Sequence, residues 1–184
     1  MLKPIDIQSL PSLYKQFISK DFPPIERAPL FAIKRNFKKG NQEGYLFIYQ
    51  NTEVGYTINT ITDECIMIAL FAIFPEYRFQ GLGQAFVREI LEKYQDKKAI
   101  ILEIERPELA EDEADRAIRE KRLAFYEKNG FRVYRDIEYV IFGVPMYLMV
   151  YSEVQLDKAE VMEMVYRLYR EILNKHMMKM VVMR

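Results

Sequence analysis

Residues 65 to 74 read CIMIALFAIF, a run that is apolar throughout. Such a run suits a central strand covered on both faces, so the chain must place helices on either side of a sheet. Pro75 ends it. Two glycines, Gly81 and Gly83, then stand two apart where the pattern changes. Residues 82–94 return to helical spacing through Leu82, Phe86, Ile90 and Leu91, with Arg88, Glu89, Glu92 and Lys93 on the wet side. AIILEIE, residues 99–105, is a second buried strand, and its Glu103 and Glu105, two apart, share a face.

On the N-terminal side the pattern predicts a short strand over residues 1–4 and a helix through Leu13, Tyr14, Phe17 and Ile18 that stops between Asp21 and Pro24. A second helix is predicted over Glu26–Lys38, closing at Gly40 after a basic last turn. GYLFIYQ and GYTINTIT, divided by NTEV, read as a hairpin. On the C-terminal side a helix is predicted over 112–128, stopped by Asn129-Gly130, then strands near 131–142 and 145–151 and a long amphipathic helix from Gln155 to Lys179. Strand–helix–strand at the centre with antiparallel strands on both sides gives an α+β fold, a mixed sheet flanked by helices. Residues 1–151 form the predicted domain and residues 152–184 a C-terminal extension, whose apolar face (Val161, Val165, Leu168, Ile172, Leu173) must be buried on its own sheet or across a homodimer interface.

Composition narrows the chemistry. Lys plus Arg equals Asp plus Glu at 27 each, so no net field draws the chain to nucleic acid or an anionic membrane. With one cysteine, Cys65, read as core, and one histidine, His176, a disulfide, a metal site and histidine-driven catalysis are not expected. No stretch reaches the ~18 apolar residues of a membrane span and MLKPIDIQSL has no secretory apolar region, so the expected location is cytoplasmic.

A loop with Arg78 and two glycines opening a helix presents backbone N–H groups at the positive end of a helix dipole, which is an anion site or simply a tight turn. The Rossmann fingerprint fails because Phe86 stands where it needs a third small residue, and the P-loop fails for want of Gly-Lys-Ser/Thr. Arg78-Phe79-Gln80-Gly81-Leu82-Gly83 instead resembles the Arg/Gln-x-x-Gly-x-Gly/Ala segment of the GCN5-related N-acetyltransferase (GNAT) superfamily. RLAFYEKNGF, residues 122–131, is similar to that superfamily's LYEKxGF segment, and LEIE between them to its LEV strand.

The resemblance covers residues 1–151 and implies acetyl-CoA as cofactor and acetyl transfer to a primary amine, in a small molecule or a peptide, by direct attack. It implies that the amides of Phe79, Gln80, Gly81, Leu82, Gly83 and Gln84 hold the cofactor's pyrophosphate and that Ile73 meets the pantetheine arm. Arg78 either pairs with a phosphate or caps the loop. Tyr126 is implied as the acid and Glu103 as the base, with Glu105 or water as alternates. Arg119 replaces the asparagine common seven residues before that tyrosine; it reaches the cofactor or points to solvent. The stretch 105–116 carries six acidic residues against two arginines; it attracts a cationic acceptor or serves the helix dipole. Tyr45, Tyr49, Tyr56 and Tyr139 are either acceptor-pocket or core residues. The competing reading is a non-catalytic coenzyme A-binding module with the same fold.

Overall fold

Residues 1–24 and 27–184 are described by a computed structural model. They form two units, Met1–Ile61 with Ile68–Lys93 and Thr62–Met67 with Tyr94–Arg184.

In the first unit β1 (Leu2–Pro4) leads into α1 (Leu10–Leu13), a π-helical turn at Tyr14–Ile18 and α2 (Ser19–Asp21). The wide turn adjusts the helical phase so that Leu10, Leu13 and Ile18 all enter one apolar cluster with Ile33, Tyr56, Leu70 and Phe74. α3 (Leu30–Lys39) ends as its composition predicts, with Lys38 and Lys39 in the last turn and Gly40 at φ 76°. The predicted start at Glu26 lies outside the described residues, but residues 27–29 are not helical: Pro29, extended at ψ 148°, precedes the first turn. β2 (Gln42–Tyr49) and β3 (Thr52–Ile61) pair antiparallel, and the turn falls on Gln50 and Asn51, both at positive φ. That two-residue geometry matches strand twist, so of the predicted divider NTEV only Asn51 is in the turn.

β4 (Cys65–Ile73) follows β3 in the sheet order. The two strands approach so closely at Gly55 that an added Cβ would lie 2.5 Å from Ala72 O. α4 (Leu82–Lys93) buries Leu82, Phe86, Val87 and Ile90. Its Phe86 stacks on Phe47 at 4.7 Å and tilts against Phe71 at 4.8 Å. These contacts fix where the helix starts, which is where the glycines are.

The second unit contains β5 (Ala99–Glu105), α5 (Glu113–Lys128), β6 (Arg132–Ile141), β7 (Val144–Tyr151), α6 (Lys158–Ile172) and β8 (Val181–Met183). Its strands lie in the order β5-β7-β6-β8, each pair antiparallel. Phe142 and Gly143, both at positive φ, turn β6 into β7, and the register shifts between Tyr134 and Tyr139.

The tail differs from its prediction. α6 stops at Ile172, not near Lys179, because the Asn174 side chain accepts from the amides of His176 (3.0 Å) and Met177 (2.9 Å) and so competes with the helix. Val181–Met183 then pairs with Ile141–Tyr139 as a strand. Asp157 and Glu160 form a reciprocal capping box at the helix start. Val161, Met164, Val165, Leu168 and Tyr169 are buried in one cluster with Ile101, Ile137, Tyr139 and Leu148, so the extension's apolar face is covered by its own unit. Leu168→Ala is expected to cost about 2–5 kcal/mol in urea unfolding, as the price of an unfilled core position.

Candidate cofactor-binding and catalytic site

The loop between β4 and α4 is built around backbone angles that side chains disfavour. Gly81 sits at φ 76° with open space where a Cβ would stand, and Phe79 adopts φ 64° with its ring fully exposed. A bulky residue in that region is costly. The amides of Gln84 and Ala85 bond back to Gly81 O at 3.2 and 3.4 Å, which makes Gly81 the start of the helix. Among the described residues, no protein group accepts from the amides of Phe79, Gln80, Gly81, Leu82 and Gly83. Five donors around alternating backbone angles at a helix N-terminus suit a phosphate-type anion. The residues therefore fit a diphosphate-bearing cofactor.

Arg78 holds the head of this loop. Its Nε donates to Ile73 O at 2.9 Å and its terminal nitrogen to Asp21 Oδ1 at 2.9 Å. Tyr56 donates to the other oxygen of Asp21 at 2.9 Å, and burial raises the Tyr56 pKa, with the Asp21 charge adding to it. Gln80 Nε2 donates to Glu76 O at 3.2 Å. Ile73, Arg78, Phe79, Gln80, Gly81, Leu82, Gly83 and Gln84 thus belong to one continuous feature of the first unit, tied to the end of α2.

Glu103, Glu105, Arg119 and Tyr126 lie in the second unit. The two glutamates have different surroundings. Glu105 Oε2 accepts from Arg122 at 2.7 Å, and its Oε1 lies 3.3 Å from Arg119. Glu103 Oε1 accepts from Tyr169 at 2.6 Å and also from Tyr139. Burial raises the Glu103 pKa, and the two phenol donors only moderate the rise. Arg119 is committed within its unit, to Asp115 by Nε at 3.0 Å and to Arg106 O at 3.1 Å. The Tyr126 ring meets Phe125 and Phe131 edge-on at 5.1 and 5.6 Å. Burial pushes its pKa up to about 12, against a small lowering by Arg122. The acidic stretch is largely used locally: Asp112 caps α5 through Asp115 N, and Glu108 accepts from Tyr147. Tyr45, Tyr56 and Tyr139 are buried, whereas Tyr49 is exposed.

The profile of the acetyltransferase (GNAT) domain matches residues 41–133. The chain belongs to the GNAT acetyltransferase family. Solved structures share its α+β fold. A protein assigned to the GNAT family from Bacteroides thetaiotaomicron is 23% identical, with a TM-score of 0.76 over 92% of this chain and 96% of that one. A GNAT acetyltransferase from Elizabethkingia anophelis with acetyl-CoA bound is 18% identical, TM-score 0.54, covering 83% and 97%. A spermidine N-acetyltransferase SpeG chimera from Vibrio cholerae and hSSAT is 14% identical, TM-score 0.61, covering 83% and 96%. No curated protein matches the sequence.

Among the described residues of this GNAT chain, no helix is long and apolar enough to cross a membrane, and no group of His, Cys, Asp or Glu is placed to hold a metal. Sequence reading missed Asp21, Tyr139 and Tyr169 as partners of site residues. Asp21 is 57 residues from Arg78, and Tyr139 and Tyr169 are 36 and 66 residues from Glu103, so no local spacing announces them.

Gly81→Ala is expected to lower stability by about 1–2 kcal/mol although no atom clashes, because the cost is the backbone angle alone; thermal unfolding measures it. For Glu103 the raised folded pKa means that the folded chain binds the proton more tightly than the unfolded chain. Its contribution to stability is therefore greatest below the ordinary carboxylate range and is lost as pH rises through the folded value. Urea unfolding of Glu103→Gln across pH should lack this decline.

Proposed function

We propose that the chain is an acetyl-CoA-dependent N-acetyltransferase that acetylates a primary amine by direct attack in a ternary complex. The observation that carries this is the set of five amides opening α4 that have no partner among the described residues, in a chain of the GNAT family. The amides of Phe79–Gly83 hold the diphosphate; that of Gln84 is already given to Gly81 O. Arg78 acts chiefly as the fastening of the loop, since two of its nitrogens are engaged by Ile73 O and Asp21. Ile73, at the end of β4, meets the pantetheine arm. Bound there, acetyl-CoA supplies an acyl thioester.

Two proton problems remain for side chains. An alkylamine, with a pKa of ~10, arrives as ammonium and must lose a proton before it attacks. Glu103 takes that proton, and its raised pKa suits a base working near neutrality better than an ordinary carboxylate would. Glu105 is a poorer candidate because both of its oxygens face arginines. Tyr126 keeps its proton throughout the physiological range and donates a hydrogen bond to the leaving sulfur, which takes up the second proton, shed by the nitrogen as the C–N bond forms and the C–S bond breaks. A phenol near 12 is a weaker acid than a thiol at ~8.5, so it stabilises developing thiolate charge without surrendering its proton in the ground state. The acceptor is an amine carried by a small molecule or a peptide.

Thiol release over an amine panel tests this, alongside calorimetric binding of coenzyme A. Tyr126→Phe is expected to lower kcat by about 100-fold or more with KM for acetyl-CoA nearly unchanged, and Glu103→Gln to lose the rate at neutral pH while regaining part of it at high pH. Binding of coenzyme A with no thiol released from any amine, and no response to Glu103→Gln, would identify a non-catalytic binding module instead.

A further inference from the structure

We propose that Tyr139 and Tyr169 are positioning residues for Glu103, so that the C-terminal extension completes the catalytic apparatus as well as packing the core. This rests on the reading of Glu103 as the base. Three observations support it. Both phenols bond the same carboxylate oxygen, Oε1. Oε2 has no hydrogen bond among the described residues, and Glu103 as a residue is only partly buried. One oxygen is anchored and the other has no donor among the described residues, which leaves it for a proton.

The second observation is where the donors come from. Glu103 lies within the segment that matches the family, residues 41–133, whereas Tyr139 and Tyr169 lie beyond it. Tyr169 belongs to α6, which is held by its capping box and by the fully buried Val161, Val165 and Leu168. Tyr139 pairs with Met183 of β8, and the amide and carbonyl of Glu138 bond to those of Arg184 at 2.9 and 3.0 Å. The extension thus supplies one phenol and braces the strand that carries the other.

The third is the absence of competing charge. The groups bearing on Glu103 are Tyr139 from β6 and Tyr169 from α6, with burial; no cation pairs with it among the described residues, and the nearby Arg119 and Arg122 of α5 are engaged by Glu105. The phenols are therefore the polar contacts that decide both the orientation of the carboxylate and its affinity for a proton.

The test uses Tyr169→Phe, Tyr139→Phe and the double variant, which keep the rings and delete the donors. The carboxyl carbon of Glu103 is followed by NMR in protein labelled at glutamate, assigned by its loss in Glu103→Gln; this needs no acceptor. Each single variant should titrate at a higher pH than the wild type, by roughly one unit, and the acid limb of kcat/KM should move up in parallel while KM for acetyl-CoA stays unchanged. Titration curves and acid limbs that superimpose on the wild type, even with a lowered Tm, would overturn the proposal and leave the phenols as core residues. Wild-type turnover in Glu103→Gln would instead remove the base assignment on which it rests.

Discussion

Backbone amides at the start of a helix have no acceptor within it, and the loop ahead of α4 leaves five in succession without a partner among the described residues. The neighbouring structure keeps them that way. Phe86, packed between Phe47 and Phe71, fixes the helix; Gly81 turns the chain through a left-handed angle; Arg78 ties the loop to Ile73 and Asp21. The aromatic stacking of the first unit and the ion pair near its surface both hold the loop's amides in place. Preorganised donors need no rearrangement when charge arrives.

The second unit addresses the opposite problem, a carboxylate in apolar surroundings. Glu103 shares a strand face with Ile101 in a cluster that includes Leu148, Val165 and Leu168. A charge there is costly unless it is hydrogen-bonded, and two phenols meet that need at a single oxygen. Glu105, two residues along, is stabilised by arginines instead. Adjacent positions on one face thus hold chemically different carboxylates, one suited to exchanging a proton and the other to holding α5 in place.

The central elements were legible because their signals are local. The apolar run and Pro75 bound β4, Leu82 through Ile90 mark α4, and Asn129-Gly130 ends α5 where expected. Errors arose where two local signals competed. Asn174 stops α6 seven residues early through its own side chain, and the β-branched pair Val181-Val182, just past the predicted helix, becomes a strand because β6 offers an edge. The loop's left-handed angle at Gly81 was legible in its glycine, but the partners of Arg78 and Glu103 were not. Asp21, Tyr139 and Tyr169 are joined to their partners only by tertiary packing, and nothing in a window of sequence links a residue to another several dozen positions away.

The π-helical turn at Tyr14–Ile18 has a bearing on how the first helix tolerates change in length. A π turn holds more residues per revolution than the α-helix on either side, in effect one surplus residue absorbed in place. Removing a residue there would restore a regular α-helix with its two flanks still in phase, whereas forcing the surplus residue into α geometry would swing everything before it by about 100°. Leu10 and Leu13 would then leave the apolar cluster they now occupy, so the irregular geometry is what lets this helix be one residue longer without turning its face away.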